Sequence, residues 1–245
     1  MKPAKTRQIL KAPDHWEEIP WGDFYREALH QHLQPYLSKF YGFHLLKIGA
    51  LSAAIDTEEC PVSHQFTVSP DGLPGGVAGN EMRLPFLSKS IDVCFLAHSL
   101  SWSQDPHQVL READRVLIDD GWIILTGFNP YSLLGAGKLL PWLHRRLPWS
   151  GRMFSQGRMI DWLSILNYEI ICRKSFQVVP WRRNGGKIMT AHLPVLGCMN
   201  LLIARKRTYP LTPNRSALPA GRPRLRTAVN VTRQCSEVKP QDADK

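Results

Sequence analysis

Short apolar runs alternate with stretches of helical spacing along most of the chain. FHLLKIG (43–49) reads as a strand ended by a glycine, and HQFTVSP (64–70) as a second strand closed by a Pro-Asp-Gly turn. A weak short strand is expected around 80–83. IDVCFLAHSL (91–100) is apolar for most of its length, as a central strand covered on both faces would be. HQVLREADRVL (107–117) places Val109, Leu110, Ala113, Val116 and Leu117 on one helical face. Asp105-Pro106 supplies a helix start and Asp119-Asp120-Gly121 a stop. GWIILTGF (121–128) is a further buried strand. A broken helical stretch, 131–165, is interrupted by Pro141 and Pro148, with its clearest helix at 159–168. YEIICRKSF (168–176) and CMNLLIARK (198–206) are the last two strands.

Ahead of this alternation, residues 1–20 are polar and carry three prolines, so they read as an irregular arm. WGDFYREALHQHLQPYLSKF (21–40) has the spacing of an amphipathic helix, with a break or kink near Pro35. Strands alternating with helices imply a mostly parallel sheet flanked by helices. Ligands of such sheets bind beyond the carboxyl ends of the strands, where the strand order reverses. Residues just after Gly49, Val68, Leu96 and Phe128, and those near Asn80, are therefore the candidates for function.

Composition adds little to the fold and more to the question of partners. Hydrophobic residues are 43% and charged residues 21% of the chain, which excludes a wholly disordered protein. The net charge of +10 raises the question of a nucleic-acid partner. Its distribution narrows that question: residues 205–245 carry ten Lys/Arg against three Asp/Glu, leaving a net +3 on residues 1–204. The division predicted is an arm and covering helix over 1–41, a domain over 42–206 with a helical insertion at about 131–158, and a basic, proline-containing disordered tail over 207–245. The tail makes a nucleic-acid contact an alternative expectation, although no helix-turn-helix, zinc-finger or RNA-recognition motif accompanies it. Five cysteines form no C-x-x-C pair, so no metal site or disulfide framework is expected. No apolar run reaches membrane-spanning or signal-peptide length. The expectation is a cytoplasmic protein without a membrane partner.

Two aromatic-basic clusters stand out: Trp142, His144, Arg145, Arg146, Trp149 and Arg152, and Trp181, Arg182, Arg183 and Lys187. Each reads either as a solvated lid or subunit contact, or as a surface for an anionic or aromatic substrate. Glu112 and Arg115 are spaced as an i,i+3 ion pair on an exposed helix face.

Leu84-Pro85-Phe86, Asp92 at the head of an apolar strand, Leu110, Glu112, Arg115-Val116-Leu117 and Gly121 keep one register across 84–130. In that register the stretch resembles the class I S-adenosylmethionine-dependent methyltransferases, specifically the methyltransferase type 11 group. The similarity extends to about 40–206. It implies a Rossmann-like α/β fold of seven mostly parallel strands flanked by helices, S-adenosyl-L-methionine as cofactor, and methyl transfer to a small or anionic substrate. It also implies cofactor contacts at Gly49, Asn80 and Met82, and a place for His98 near the methyl group. Chemistry by in-line displacement requires no dedicated protein nucleophile, so no catalytic residue is assigned. The cofactor loop is degenerate against the family's pattern. Lys47-Ile48-Gly49-Ala50-Leu51 keeps one glycine and has Lys47 where an acid is expected, Thr67 stands at the ribose position, and Asn80 at the adenine position. These departures make a catalytically inactive binding or regulatory protein the alternative reading.

Overall fold

The computed structural model describes residues 5–6, 10–72, 74–143, 146–181 and 194–208. Six helices and seven strands carry the fold among them: α1 (Gly22–Leu37), β1 (His44–Ile48), α2 (Ala50–Ala53), β2 (His64–Ser69), β3 (Val77–Ala78), β4 (Ile91–Ala97), α3 (Ser99–Trp102), α4 (Pro106–Val116), β5 (Leu117–Phe128), α5 (Leu133–Ala136), α6 (Gln156–Ile165), β6 (Tyr168–Phe176) and β7 (Met199–Lys206). The strands form one sheet in the order β3-β2-β1-β4-β5-β7-β6. Strands β1 to β5 run parallel to one another, and β7 is antiparallel to both β5 and β6. The order reverses between β1 and β4, which places the switch point beside Gly49 and Ala97.

The continuous apolar run of β4 has its expected cause. Val93, Phe95 and Ala97 pack into the core layer shared with α1, and Cys94 and Leu96 into the layer shared with α4 and α6. Helix α1 buries Tyr25, Leu29, Leu33 and Leu37 along one face and continues two residues beyond Pro35. Asp105 caps α4 by accepting from the His107 and Gln108 amides, and Pro106 occupies the first turn, where no amide proton is needed. Asp92 ties the sheet at its other end: its Oδ2 accepts from the Phe43 and His44 amides at 2.9 Å each.

Three local expectations are corrected. The third strand is Val77–Ala78, and Asn80 and Arg83 form only an isolated bridge beyond it. The Asp119-Asp120-Gly121 stop lies within a strand: α4 ends at Val116, β5 begins at Leu117, and Asp120 adopts φ 64° where the β4–β5 register shifts. The last long helix starts at Gln156 and ends at Ile165, earlier at both ends than its apolar spacing suggested.

Glu112 and Arg115 pair as expected, with Nη2–Oε2 at 2.9 Å, but the pair is only partly exposed because it also staples a loop. Arg115 donates to the Phe86 and Leu84 carbonyls at 2.9 and 3.0 Å, and Glu112 accepts from the Leu84 amide at 3.1 Å. Hydrogen bonding to Arg115 holds the Glu112 carboxyl below the usual carboxylate range. Arg115→Met leaves those acceptors unpaired and is expected to cost about 2–3 kcal/mol in urea unfolding with an unchanged denaturant slope. A loss of a few tenths of a kcal/mol, ordinary for a surface ion pair, would show that the staple is dispensable.

Candidate functional site

At the carboxyl end of β1 the chain turns sharply into α2. Gly49 sits there at φ 86° and ψ 157°, a conformation essentially restricted to glycine. A Cβ at that position would stand 3.1 Å from the Ser99 hydroxyl. Two serines close the junction across the switch point. Ser52 Oγ donates to the Ile48 carbonyl at 2.6 Å and accepts from the Ala97 amide at 2.7 Å, while Ser99 Oγ donates to the same carbonyl at 2.7 Å. The bonds fasten the diverging ends of β1 and β4 and fix the turn between them.

A cavity of about 270 Å³ opens beside this junction. Its floor is Gly49, Ala50 and Leu51 from the β1–α2 turn and Ala97, Ser99 and Trp102 from the end of β4 and α3. One wall is Ser69, Pro70 and Asp71 at the end of β2, with Glu81 from the loop after β3. Residues Leu10 to Asp14 of the N-terminal arm form the roof. A second cavity, of about 530 Å³, adjoins it and includes Ala78, Gly79, Asn80, Met82, Ser103 and Gln104. Leu10, Pro70, Glu81 and Trp102 line both, so the two are lobes of one cleft.

The arm is held in place by built contacts. The Thr6 amide donates to the Gln104 carbonyl at 2.9 Å, and the buried Trp16 indole donates to the Leu51 carbonyl at 3.0 Å. Glu18 accepts from the Asp14 and His15 amides and stabilises the short 3-10 turn at Trp16–Glu18. Leu51 stands where a second glycine would be expected. Its side chain is buried in the core layer with Trp16, and its carbonyl receives the indole. Its bulk thus serves the arm.

The predicted site residues fall in different places. Gly49 lines the first lobe, and Asn80 and Met82 line the second, where Asn80 Oδ1 accepts from the Met82 amide at 2.8 Å. Thr67 lies within β2, paired with Lys47, and lines neither lobe. Lys47 donates to the Ile55 carbonyl at 2.8 Å and closes the α2 turn, with burial lowering its pKa.

His98 is a correction. It follows β4 as expected but is fully buried behind the cleft wall, not at its lip. Its ring lies 4.1 Å from Phe128, 5.4 Å from Trp16 and 6.3 Å from Trp102, centroid to centroid. The helical turn of α3 starts from its left-handed backbone at φ 58°, which directs the imidazole inward. Neither ring nitrogen has a hydrogen-bond partner among the described residues, and burial lowers the pKa to about 3.

Sequence reasoning pointed just past Val68 and near Asn80 without singling out Ser69 or Glu81, and it missed Asp71 and the arm. The Pro-Asp-Gly turn was visible, but its carboxylate was not connected with the cleft. Burial pushes the Glu81 carboxyl up to about 7, with the Ser103 hydroxyl opposing. Ser69 Oγ is buried without a partner among the described residues and stands at the end of β2.

These two titrations act oppositely on stability. His98 takes up a proton near pH 6.5 when unfolded and near 3 when folded, so its contribution is present above about pH 6.5 and is lost as pH falls through that window. Glu81 favours the folded state below its ordinary value of 4.5 and loses that contribution as pH rises through about 7. Denaturant titrations of wild type and His98→Gln are expected to diverge by about 1.4 kcal/mol per pH unit between those limits, with wild type gaining stability as pH rises. Parallel curves would show that the imidazole charges inside the fold.

A family model described as a methyltransferase domain matches residues 44–125, the segment that carries the switch point and every cleft-lining residue outside the arm. The chain is also 54% identical over 241 residues to YafS of Escherichia coli (strain K12), spanning 98% of this chain and 100% of that one. It belongs to the methyltransferase family. Solved structures agree on the fold. An S-adenosylmethionine-dependent methyltransferase from Archaeoglobus fulgidus superimposes with a TM-score of 0.52 at 18% identity, covering 75% of this chain and 96% of that chain. Another, from Mesorhizobium loti, gives 0.51 at 14% identity, covering 71% and 97%. The Rossmann-like sheet of these methyltransferase structures is thus present in full. The expectations for 182–193, for His144 and Arg145, and for 209–245 lie outside the described residues. Among the described residues no helix is long and apolar enough to cross a membrane.

Proposed function

We propose that the chain is an S-adenosylmethionine-dependent methyltransferase that holds its cofactor in the two-lobed cleft beneath the arm. The observation that carries this reading is the Gly49 turn: a glycine-only backbone beside an open cavity, at the strand reversal, with acidic and hydroxyl side chains opposite. The donor set fits such a cofactor. The cleft offers Asp71 and Glu81 to a ligand bearing a sulfonium, an ammonium and two ribose hydroxyls, the Ser69 hydroxyl, unpartnered among the described residues, at the end of β2, and the polar edge of Asn80 to an adenine. S-adenosylmethionine, when bound, supplies an electrophilic methyl group on a sulfonium.

The protein's share of the work is to bind, orient and exclude water. Ser52 and Ser99 fix the turn that Gly49 makes, and the arm roofs the first lobe with Leu10 and Pro13. Carboxylates near the cation favour binding of the charged cofactor over its neutral product. Orientation of this kind supplies much of the rate in a displacement at carbon. Lys47 and Thr67 favour a second reading, a binding protein without turnover, because both stand where the family carries acids.

The test is transfer of a labelled methyl group from S-adenosylmethionine to a small-molecule extract. The first reading expects label in an acceptor and accumulation of S-adenosylhomocysteine. Cofactor binding with no transfer to any fraction would establish the second.

A further inference from the structure

The segment after β5 exposes apolar side chains that the fold does not use. Leu139 is 84% exposed, Trp142 69% and Tyr131 67%, with Leu133 and Leu140 also exposed. These residues surround buried Leu134 and Gly135, which anchor the segment while its outer face stays bare. The anchoring is specific. Ser132 Oγ caps α5, Trp149 Nε1 donates to the Leu134 carbonyl at 2.7 Å, and a Cβ on Gly137 would collide with the Trp149 indole at 2.2 Å. The exposed residues are therefore presented on a held scaffold. Exposed apolar surface on this scale marks an interaction site.

The charge around the patch decides what it meets. Between Asp120 and Asp161 the sequence contains five Lys/Arg and no Asp or Glu. Arg146 and Arg158 are exposed on the described surface, while Lys138 and Arg152 are part-buried and bonded to the Gly151 and Ser103 carbonyls. Leucines and a tryptophan beside arginines, without a carboxylate in forty residues, are the composition of an interfacial segment that seats apolar side chains below lipid headgroups. A protein partner of acidic character would satisfy the arginines but not the spread of five apolar tips. We propose that the 131–143 face docks on an anionic lipid bilayer surface. The expectation of no membrane partner rested on the lack of a spanning run, a criterion that does not register surface association.

The face is joined to the cleft. The Arg152 amide donates to the Ser101 carbonyl at 2.8 Å, and a Cβ added to Gly151 would stand 3.1 Å from the indole of Trp102, which lines both lobes. Docking would therefore bring the cleft's rim to the lipid surface. The proposal does not depend on methyl transfer.

The test is co-sedimentation of the full chain with vesicles of phosphatidylcholine alone and with a minority of phosphatidylglycerol. Wild type is expected to pellet with the anionic vesicles and to remain partly bound at raised salt, where charge alone would be screened. Leu139→Ser with Trp142→Ser is expected to reduce partitioning by about tenfold for each side chain, with an unchanged melting temperature because both are exposed. Tyr131→Ser with Leu133→Ser gives an independent version of the same loss. Wild type that stays in the supernatant overturns the proposal. So does binding that both variant pairs leave intact, since the charges would then act without the patch. A self-associated wild type that the substitutions dissociate, with no vesicle binding, also overturns it and assigns the face to a second copy.

Discussion

Gly49→Val is expected to abolish measurable binding of S-adenosylmethionine while leaving a folded protein. The substitution forces a β-branched side chain into φ 86° and ψ 157°, which costs on the order of 1–3 kcal/mol. It also aims a Cβ at Ser99 Oγ from 3.1 Å, and that hydroxyl holds β4 to the Ile48 carbonyl. The strain falls on stability, but the larger effect falls on the cleft, whose floor is this turn. Affinity should drop by more than a hundredfold, equivalent to about 3 kcal/mol. Urea unfolding and calorimetry on one preparation separate the two effects. A folded variant that binds like wild type would mean that Gly49 only ends a strand.

Glu81→Gln carries the second large effect, and its signature is pH. The carboxyl is pushed up to about 7 by burial, so near neutrality it is only partly ionised. A cation in the cleft is held by the ionised form, so wild-type affinity for S-adenosylmethionine should rise as pH increases through 7. The amide removes that rise. At pH 8 the loss should be about tenfold or more, the scale of one charged interaction. Neutral S-adenosylhomocysteine should respond much less to both pH and substitution. Equal losses for the two ligands would place Glu81 away from the cation.

Legibility in the sequence followed physical scale. Apolar runs long enough to be buried on both faces announced β1, β4, β5 and β7, and the spacing of Val109, Leu110, Ala113 and Val116 announced α4. β3 escaped because two residues, Val77 and Ala78, carry no period. The start of β5 escaped because Asp119 and Asp120 are turn formers that fall in the register shift of the β4–β5 pairing, between Leu117 and Trp122. Gly49 was legible because a glycine after an apolar strand has few other uses. Glu81 and Asp71 were not, because their significance lies in two loops that meet across the sheet's edge. His98 shows the opposite limit. Its place after β4 was correctly read, but the direction of its ring depends on the left-handed turn into α3, which no local pattern reports.

The arm is the largest feature that composition concealed. Its prolines and charges read as irregular, yet Trp16 is buried and Leu10 to Asp14 roof the cleft. One tryptophan in a polar stretch was the signal available, since burying an indole contributes about 2–3 kcal/mol even where no helix or strand surrounds it.

Calorimetric titration of the full chain with S-adenosylmethionine at pH 8 tests the central claim most directly. A saturable heat at one site per chain, lost in Gly49→Val, is the predicted result. No heat from a folded wild-type protein at millimolar ligand would contradict it.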